Sequence, residues 1–129
     1  MNRKAITAAQ ASTVGPYSHG IDAGPGELVY LSGQTPLDPA RGALVGGGAA
    51  EQTRQCLRNL LAVLEAAGLA AQDVVKVNVY LTDMADFAEM NAAYAEHFAQ
   101  PYPARTTVGV AALPLGARVE IELVARRPR

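Results

Sequence analysis

The sequence predicts an α+β fold, an α/β mixed sheet of six strands with two helices on one face. Three observations predict it. Val75, Val77, Val79 and Leu81 recur at every second residue through 73–82, the spacing of a half-buried strand. Leu57, Leu60, Leu61 and Leu64 recur at i, i+3, i+4 and i+7, the spacing of one helix face. Segments of the two kinds follow the order strand, strand, strand, helix, strand, helix, strand, strand. Two helices cover only one face of such a sheet. Val74 and Tyr80 stand on the other face beside Lys76 and Asn78, so it is only partly polar and is expected to be buried in an oligomer.

Taken in order, residues 5–7 read as a short strand or loose chain. Gly15-Pro16-Tyr17 marks a turn, and 20–23 is a short strand. After the turn Gly24-Pro25-Gly26, residues 28–32 form a strand that Gly33 ends. Residues 36–48 read as a loop with prolines at 36 and 39 and a closing Gly46-Gly47-Gly48. That triple glycine precedes a helix but lacks the Lys-Ser/Thr of a phosphate-binding loop, and it does not directly follow a strand. It reads as a flexible connection. The first helix spans 49–67, with Gly68 at a natural stop. Asp83 is placed to cap a second helix running to residue 99, with Phe87, Met90, Tyr94 and Phe98 as its apolar stripe. Prolines on either side of Tyr102 hold the chain extended or turned. A strand follows at 106–111, a turn at 114–116 and a last strand at 118–125. In that last strand Val119, Ile121 and Leu123 share one face, and Glu120 and Glu122 point the other way.

Composition narrows the function. The 129 residues make one domain, residues 1–129, half of it apolar but rich in alanine, with no Trp and two Phe. A net charge of −1 argues against an electrostatic nucleic-acid footprint. Arg126-Arg127-Pro128-Arg129 reads as a solvated basic tail. The single cysteine, Cys56, excludes an internal disulfide framework and lies among helix leucines as a packed thiol. Arg3 and Lys4 are not followed by the apolar segment of a signal peptide, and no run reaches the ~18 apolar residues that span a bilayer. A cytoplasmic protein without membrane contact is expected.

The chemistry-bearing residues are few. His19 reads as a partly exposed turn residue, and His97 as one on a helix edge. Neither has acidic ligand spacing, so no metal is expected. Lys4 and Lys76 lie outside any candidate pocket, and no dinucleotide fingerprint or Ser-His-Asp set is present. No cofactor is expected. What remains is Arg105 at the mouth of a strand, with Glu120 and Glu122 on the next. An arginine beside a proline is ordinarily exposed. Here nearby carboxylates offer a buried guanidinium a partner, and a planar fork on a rigid strand suits a small carboxylate. Glu122 reads as a solvated outward charge. Geometry sets a condition. In a tight hairpin about Leu115, Arg105 would face residue 125, leaving Glu120 about 16 Å away. Either the strands are arranged otherwise or Arg105 and Glu120 meet between subunits. Asn91, within the second helical stripe, either bonds backbone in the core or lines a pocket or interface.

PARTTVGVAALPLGARVEIE, residues 103–122, resembles the C-terminal motif of the Rid family, the reactive intermediate deaminases (RidA, YjgF-type). GPYSHG at 15–20, LSGQTP at 31–36, AAGL at 66–69 and VVKVNVYLTDMADFAEMNAAYAEHF at 74–98 match in the same order, so the resemblance covers nearly the whole chain. It implies a chorismate-mutase-like fold assembled as a homotrimer with sites in the clefts between subunits. It also implies the reaction: cofactor-independent hydrolysis of 2-aminoacrylate and related 2-imino acids (2-iminopropanoate, 2-iminobutanoate) to 2-keto acids and ammonia. This would detoxify intermediates that escape pyridoxal-phosphate enzymes. In that reading Arg105 grips the substrate carboxylate, Glu120 orients and deprotonates water, and Tyr17 hydrogen-bonds the nitrogen or the water. Backbone groups around Ser32 and Gly33 hold the other end, and Asn91 matches through MNAAY. Thr107 stands where many members carry cysteine; the pocket loses a thiol that hydrolysis does not use. Two other functions fit parts of the pattern. A non-catalytic trimer, a sensor or chaperone-like module, would use the same Arg105 cleft for metabolites. Ribonuclease or translation-inhibitor activity, as in some relatives, would call for a basic, aromatic-rich surface that this sequence lacks.

Overall fold

The computed structural model describes residues 3–12 and 15–128. Its strands are β1 (Lys4–Ile6), β2 (Gly20–Asp22), β3 (Gly26–Gln34), β4 (Leu37–Asp38), β5 (Ala43–Leu44), β6 (Val74–Leu81), β7 (Ala104–Gly109) and β8 (Val119–Pro128). Its helices are α1 (Ala49–Ala66) and α2 (Phe87–Ala95). The central sheet has the order β3-β8-β6-β7. β6 and β7 run parallel because α2 carries the chain back across the sheet between them, and β8 then enters antiparallel between β6 and β3. The architecture is α+β, a mixed sheet with two helices.

The six strands expected in one sheet fall into this four-stranded sheet and a separate β1–β2 pair. A single parallel bridge, Ser18 to Ala104, ties that pair to the β7 edge. Ser18 secures it with its amide on the Pro103 carbonyl (3.2 Å) and its hydroxyl on the Tyr102 carbonyl (2.5 Å). The 36–48 loop contains the small β4–β5 hairpin, with Leu37 facing Leu44.

One face of the sheet is dry. Val74, Val77, Val79 and Leu81 of β6 and Val119, Ile121, Leu123 and Ala125 of β8 are buried there under Leu57, Leu60 and Leu64 of α1 and Met90 and Tyr94 of α2. Val74, expected on the other face, is thus corrected: β6 shifts register between Val74 and Lys76, which sets Val74 opposite Ala125 in this core and leaves Val75 at the irregularity. Of the predicted α1 stripe Leu57, Leu60 and Leu64 are thus buried and Leu61 is half-buried at its edge, and Gly68 ends the helix at φ 75°. Cys56 is packed in this core with its thiol toward the Val119 carbonyl at 3.7 Å, and burial pushes its pKa up to about 12. Asp83 accepts from the Ala85 amide at 2.9 Å and caps the tight turn at 84–86 that leads into α2. α2 ends at Ala95, earlier than the stripe implied, because the amides of Glu96 and His97 close on carbonyls three residues back.

Two arginines fasten the segments. Arg3, buried, donates to the carbonyls of Pro101 (2.5 Å), Ala71 (2.9 Å), Val74 (3.3 Å) and Ala99 (3.0 Å). Arg118 forks onto buried Asp86 at 3.1 and 2.6 Å, while its amide donates to Gln52 Oε1 at 2.8 Å, pinning the start of β8 to both helices. The supposed basic tail is corrected. Residues 126–128 continue β8 against 26–28 of β3, and Arg126 is buried with its guanidinium on the Ala23 carbonyl. Among the described residues no helix is long and apolar enough to cross a membrane.

Candidate active site

Cross-strand neighbours share a face of the sheet, so the register decides where each functional side chain points. Arg105 lies opposite Val77, and Thr107 opposite Val79. Both therefore face the helices, at the open edge of the sheet beneath α2. The Arg105 Cζ lies 4.8 Å from the Tyr94 ring centroid, 5.4 Å from Tyr17 and 5.9 Å from Phe87. Its Nη1 is 4.0 Å from Met90 Sδ. Gly15 completes the wall: a β-carbon there would lie 3.1 Å from Asn91 Nδ2 and 3.4 Å from Arg105 Nη2. Asn91 is thus turned toward the arginine and not into the core alone. Burial pulls the Arg105 pKa below its usual value, opposed by the nearby phenols of Tyr94 and Tyr17.

A cavity of about 240 Å³ lies here, lined by Tyr17, Phe87, Arg105, Thr106 and Thr107. Larger clefts of about 330 Å³ at Arg3 and 530 Å³ beside Ser18 and His19 contain neither Arg105 nor Glu120. Buried polar atoms are normally hydrogen-bonded. Among the described residues, those without a partner are Asn91 Oδ1, Tyr94 Oη, Thr107 Oγ1 and, on α1, Thr53 Oγ1. Three of these belong to residues around Arg105 or on its strand, so the hydrogen-bonding groups here are short of a partner.

The expected carboxylate partner of Arg105 is absent from its surroundings. No acidic side chain pairs with it among the described residues. The reason is the pleat. Glu120 lies opposite Tyr80, and Glu122 opposite Asn78, on the face away from the helices. The tight hairpin is also replaced: β6 sits between β7 and β8, with Val77 level with both Arg105 and Leu123. Glu120 is therefore three residues along and two strands across from Arg105, about 10 Å in each direction, and on the opposite side of the sheet.

Glu120 has its own surroundings. β3 loses register between Leu31 and Gln34, leaving Ser32 and Gly33 in a bulge. A β-carbon on Gly33 would stand 2.5 Å from Glu120 Oε2, so the carboxylate lies against bare backbone. Glu122 is not a free solvated charge: the Tyr80 hydroxyl donates to its Oε1 at 2.6 Å. That hydrogen bond, then burial and the charges of Glu122 and Glu120, raises the Tyr80 pKa.

The expected site residues thus form two groups. Tyr17, Asn91, Arg105 and Thr107 gather under α2; Ser32, Gly33 and Glu120 gather on the open face. Sequence reasoning missed the packing of Phe87 and Tyr94 against Arg105, although their stripe on the second helix was visible. It also missed Tyr80, whose outward position the β6 alternation already gave. His19 accepts from the Ala8 amide at 3.1 Å, His97 meets the Ala93 carbonyl at 2.9 Å, and Lys76 donates to Thr106 Oγ1 at 2.8 Å on the open face. None of them joins either group.

Comparison with known proteins places this arrangement. A family model described as Endoribonuclease L-PSP matches residues 7–127. A RutC family protein of Pyrococcus horikoshii is 50% identical over 112 residues, covering 87% of each chain. A 2-iminobutanoate/2-iminopropanoate deaminase of Bos taurus is 45% identical over 124 residues, covering 95% of this chain and 89% of its own. The crystal structure of RidA from the Antarctic bacterium Psychrobacter sp. superposes with a TM-score of 0.76 at 43% identity, covering 97% of this chain and all of the other. With the motif around Arg105 and Glu120 and the fold that carries it, these matches show that the chain belongs to the Rid family, the RidA or YjgF type.

Proposed function

We propose that the protein is a cofactor-independent deaminase that hydrolyses 2-aminoacrylate and related 2-imino acids to 2-keto acids and ammonia. Its site would be built between the subunits of a homotrimer. The observation that carries this reading is a half-buried guanidinium with no acidic partner among the described residues, with the unpartnered polar atoms Asn91 Oδ1, Tyr94 Oη and Thr107 Oγ1 around it or on its strand. Such a group favours a small carboxylate from outside. Relatives named 2-iminobutanoate/2-iminopropanoate deaminase support the same chemistry. Partly apolar side chains on the open face, Tyr30 at 73% exposure, Leu28 at 51% and Val108 at 41%, support its burial against another copy.

In this reading Arg105 of one protomer grips the imino acid by two parallel hydrogen bonds, with the Thr107 hydroxyl and Asn91 amide beside it. Glu120 of the partner subunit, held at the bulge of Ser32 and Gly33, takes a proton from water as its oxygen bonds to C2. The C=N π electrons pass to nitrogen, which gains a proton with help from Tyr17. Collapse of the tetrahedral adduct forms the C=O bond and breaks C–N; the proton held by the glutamate passes to the departing ammonia, and the adduct's hydroxyl proton returns through Tyr17 to replace the one nitrogen gained first. An enamine first tautomerises to the imine. Orientation supplies most of what such a reactive substrate needs.

The test is ammonia and 2-oxobutanoate release from freshly generated 2-iminobutanoate. Wild type should accelerate it, and Arg105→Ala should lose at least about a hundredfold in rate while keeping its fold and assembly. Keto-acid binding without accelerated release would leave the non-catalytic binder as the better reading. An active Arg105→Ala variant would remove the clamp.

A further inference from the structure

Arg105 is held by more than its strand. Its guanidinium meets three aromatic rings, all within 6 Å of Cζ: Tyr17 at 5.4 Å, Phe87 at 5.9 Å and Tyr94 at 4.8 Å. Phe87 and Tyr94 are seven residues apart on α2, hence on one face two turns apart, with Met90 between them and its sulfur 4.0 Å from Nη1. A ring face attracts a cation, more strongly when water is excluded. A ring face uses up no N–H, and the one donated by Nη1 goes to a thioether, a far weaker acceptor than a carboxylate. The rings therefore stabilise the charge and partly desolvate it, yet leave the N–H edge of the fork without a strong acceptor. An arginine held by a salt bridge, as Arg118 is on Asp86, has its fork already occupied.

We propose that Phe87 and Tyr94 are positioning residues for Arg105, a sleeve of rings that fixes the guanidinium plane and reserves its N–H edge for the two coplanar oxygens of a small monocarboxylate. This rests on the deaminase reading above. The sleeve acts on ground state and transition state alike, because the carboxylate is a spectator to the bond changes at C2. Its loss should raise KM and spare kcat.

The experiment measures steady-state hydrolysis of 2-iminobutanoate, formed in situ by an amino-acid oxidase, with the full-length protein. Phe87 is only half-buried, so Phe87→Leu keeps an apolar side chain of similar reach and removes the ring. Its KM should rise about five- to tenfold with kcat within about twofold of wild type. Phe87→Tyr, which returns the ring, should restore the wild-type KM. Thermal unfolding of each variant reports on packing separately. A wild-type KM in Phe87→Leu overturns the sleeve and leaves the deaminase reading intact. So does a Phe87→Tyr variant as impaired as Phe87→Leu, because the loss then follows packing and not the ring. A wild-type protein that releases no ammonia overturns the deaminase reading, and the sleeve with it.

Discussion

The two faces of the central sheet carry charge in opposite ways. Under the helices, a layer of valine, leucine and isoleucine holds one guanidinium at its edge, wrapped in rings. On the other side, Glu120 and Glu122 stand beside Tyr80 among half-exposed apolar side chains. The same strands supply both faces, residue by residue. The alternation that puts Val119 and Ile121 into the core puts Glu120 out of it, and the register that sets Arg105 beside Val77 puts it in. A single protomer therefore carries the Arg105 group and the Glu120 group on sides that its own pleat keeps apart. Complementary charges can meet only if a second copy brings its open face to the Arg105 edge of the first.

Substitutions sharpen this contrast, the largest effects falling on the helix-covered side. Arg105→Lys keeps the charge but replaces the planar fork by a compact ammonium. Deaminase activity should fall about thirty- to a hundredfold; full activity would show that charge alone suffices. On the open face, Gly33→Ala places a methyl where Glu120 Oε2 now lies. The carboxylate must swing aside while the backbone stays put, so the rate should drop about tenfold or more at nearly unchanged unfolding temperature. A fully active Gly33→Ala variant would detach the bulge from the chemistry. The smallest effect on the protomer is expected at Tyr30, 73% exposed on β3. Tyr30→Ser should leave unfolding of the isolated protomer little changed while shifting light-scattering mass toward the monomer. An assembly that ignores this change would mean that the open face is not the contact.

Much of this was legible in the chain. Four residues at period two located β6, and the leucine spacing located α1, because both signals are local and repeat. Arg105 and Glu120 stood out as polar residues on strands that otherwise bury apolar side chains. What stayed hidden is non-local. Nothing near residues 104–128 says that β6 slips between β7 and β8, and with that insertion unknown, a hairpin was the natural pairing. The face of Arg105 followed only once Val77 was its neighbour. Arg3 gave no signal because its four carbonyl partners lie 68 to 98 residues away. Glu122 looked solvated because its partner, Tyr80, is 42 residues away on an adjacent strand. The expectation of an oligomer has a simpler basis: two helices cannot cover both sides of a sheet.

The most direct measurement is subunit complementation. Arg105→Ala and Glu120→Gln, each inactive alone, are mixed in equal amounts, dissociated and reassembled. If every site takes its arginine from one protomer and its glutamate from the next, random assembly leaves about a quarter of the sites with both groups intact. Deaminase activity should recover to about that fraction of wild type. Mixtures that stay as inactive as the separate variants, with mixed assembly demonstrated by mass, would mean that Arg105 and Glu120 never share a site.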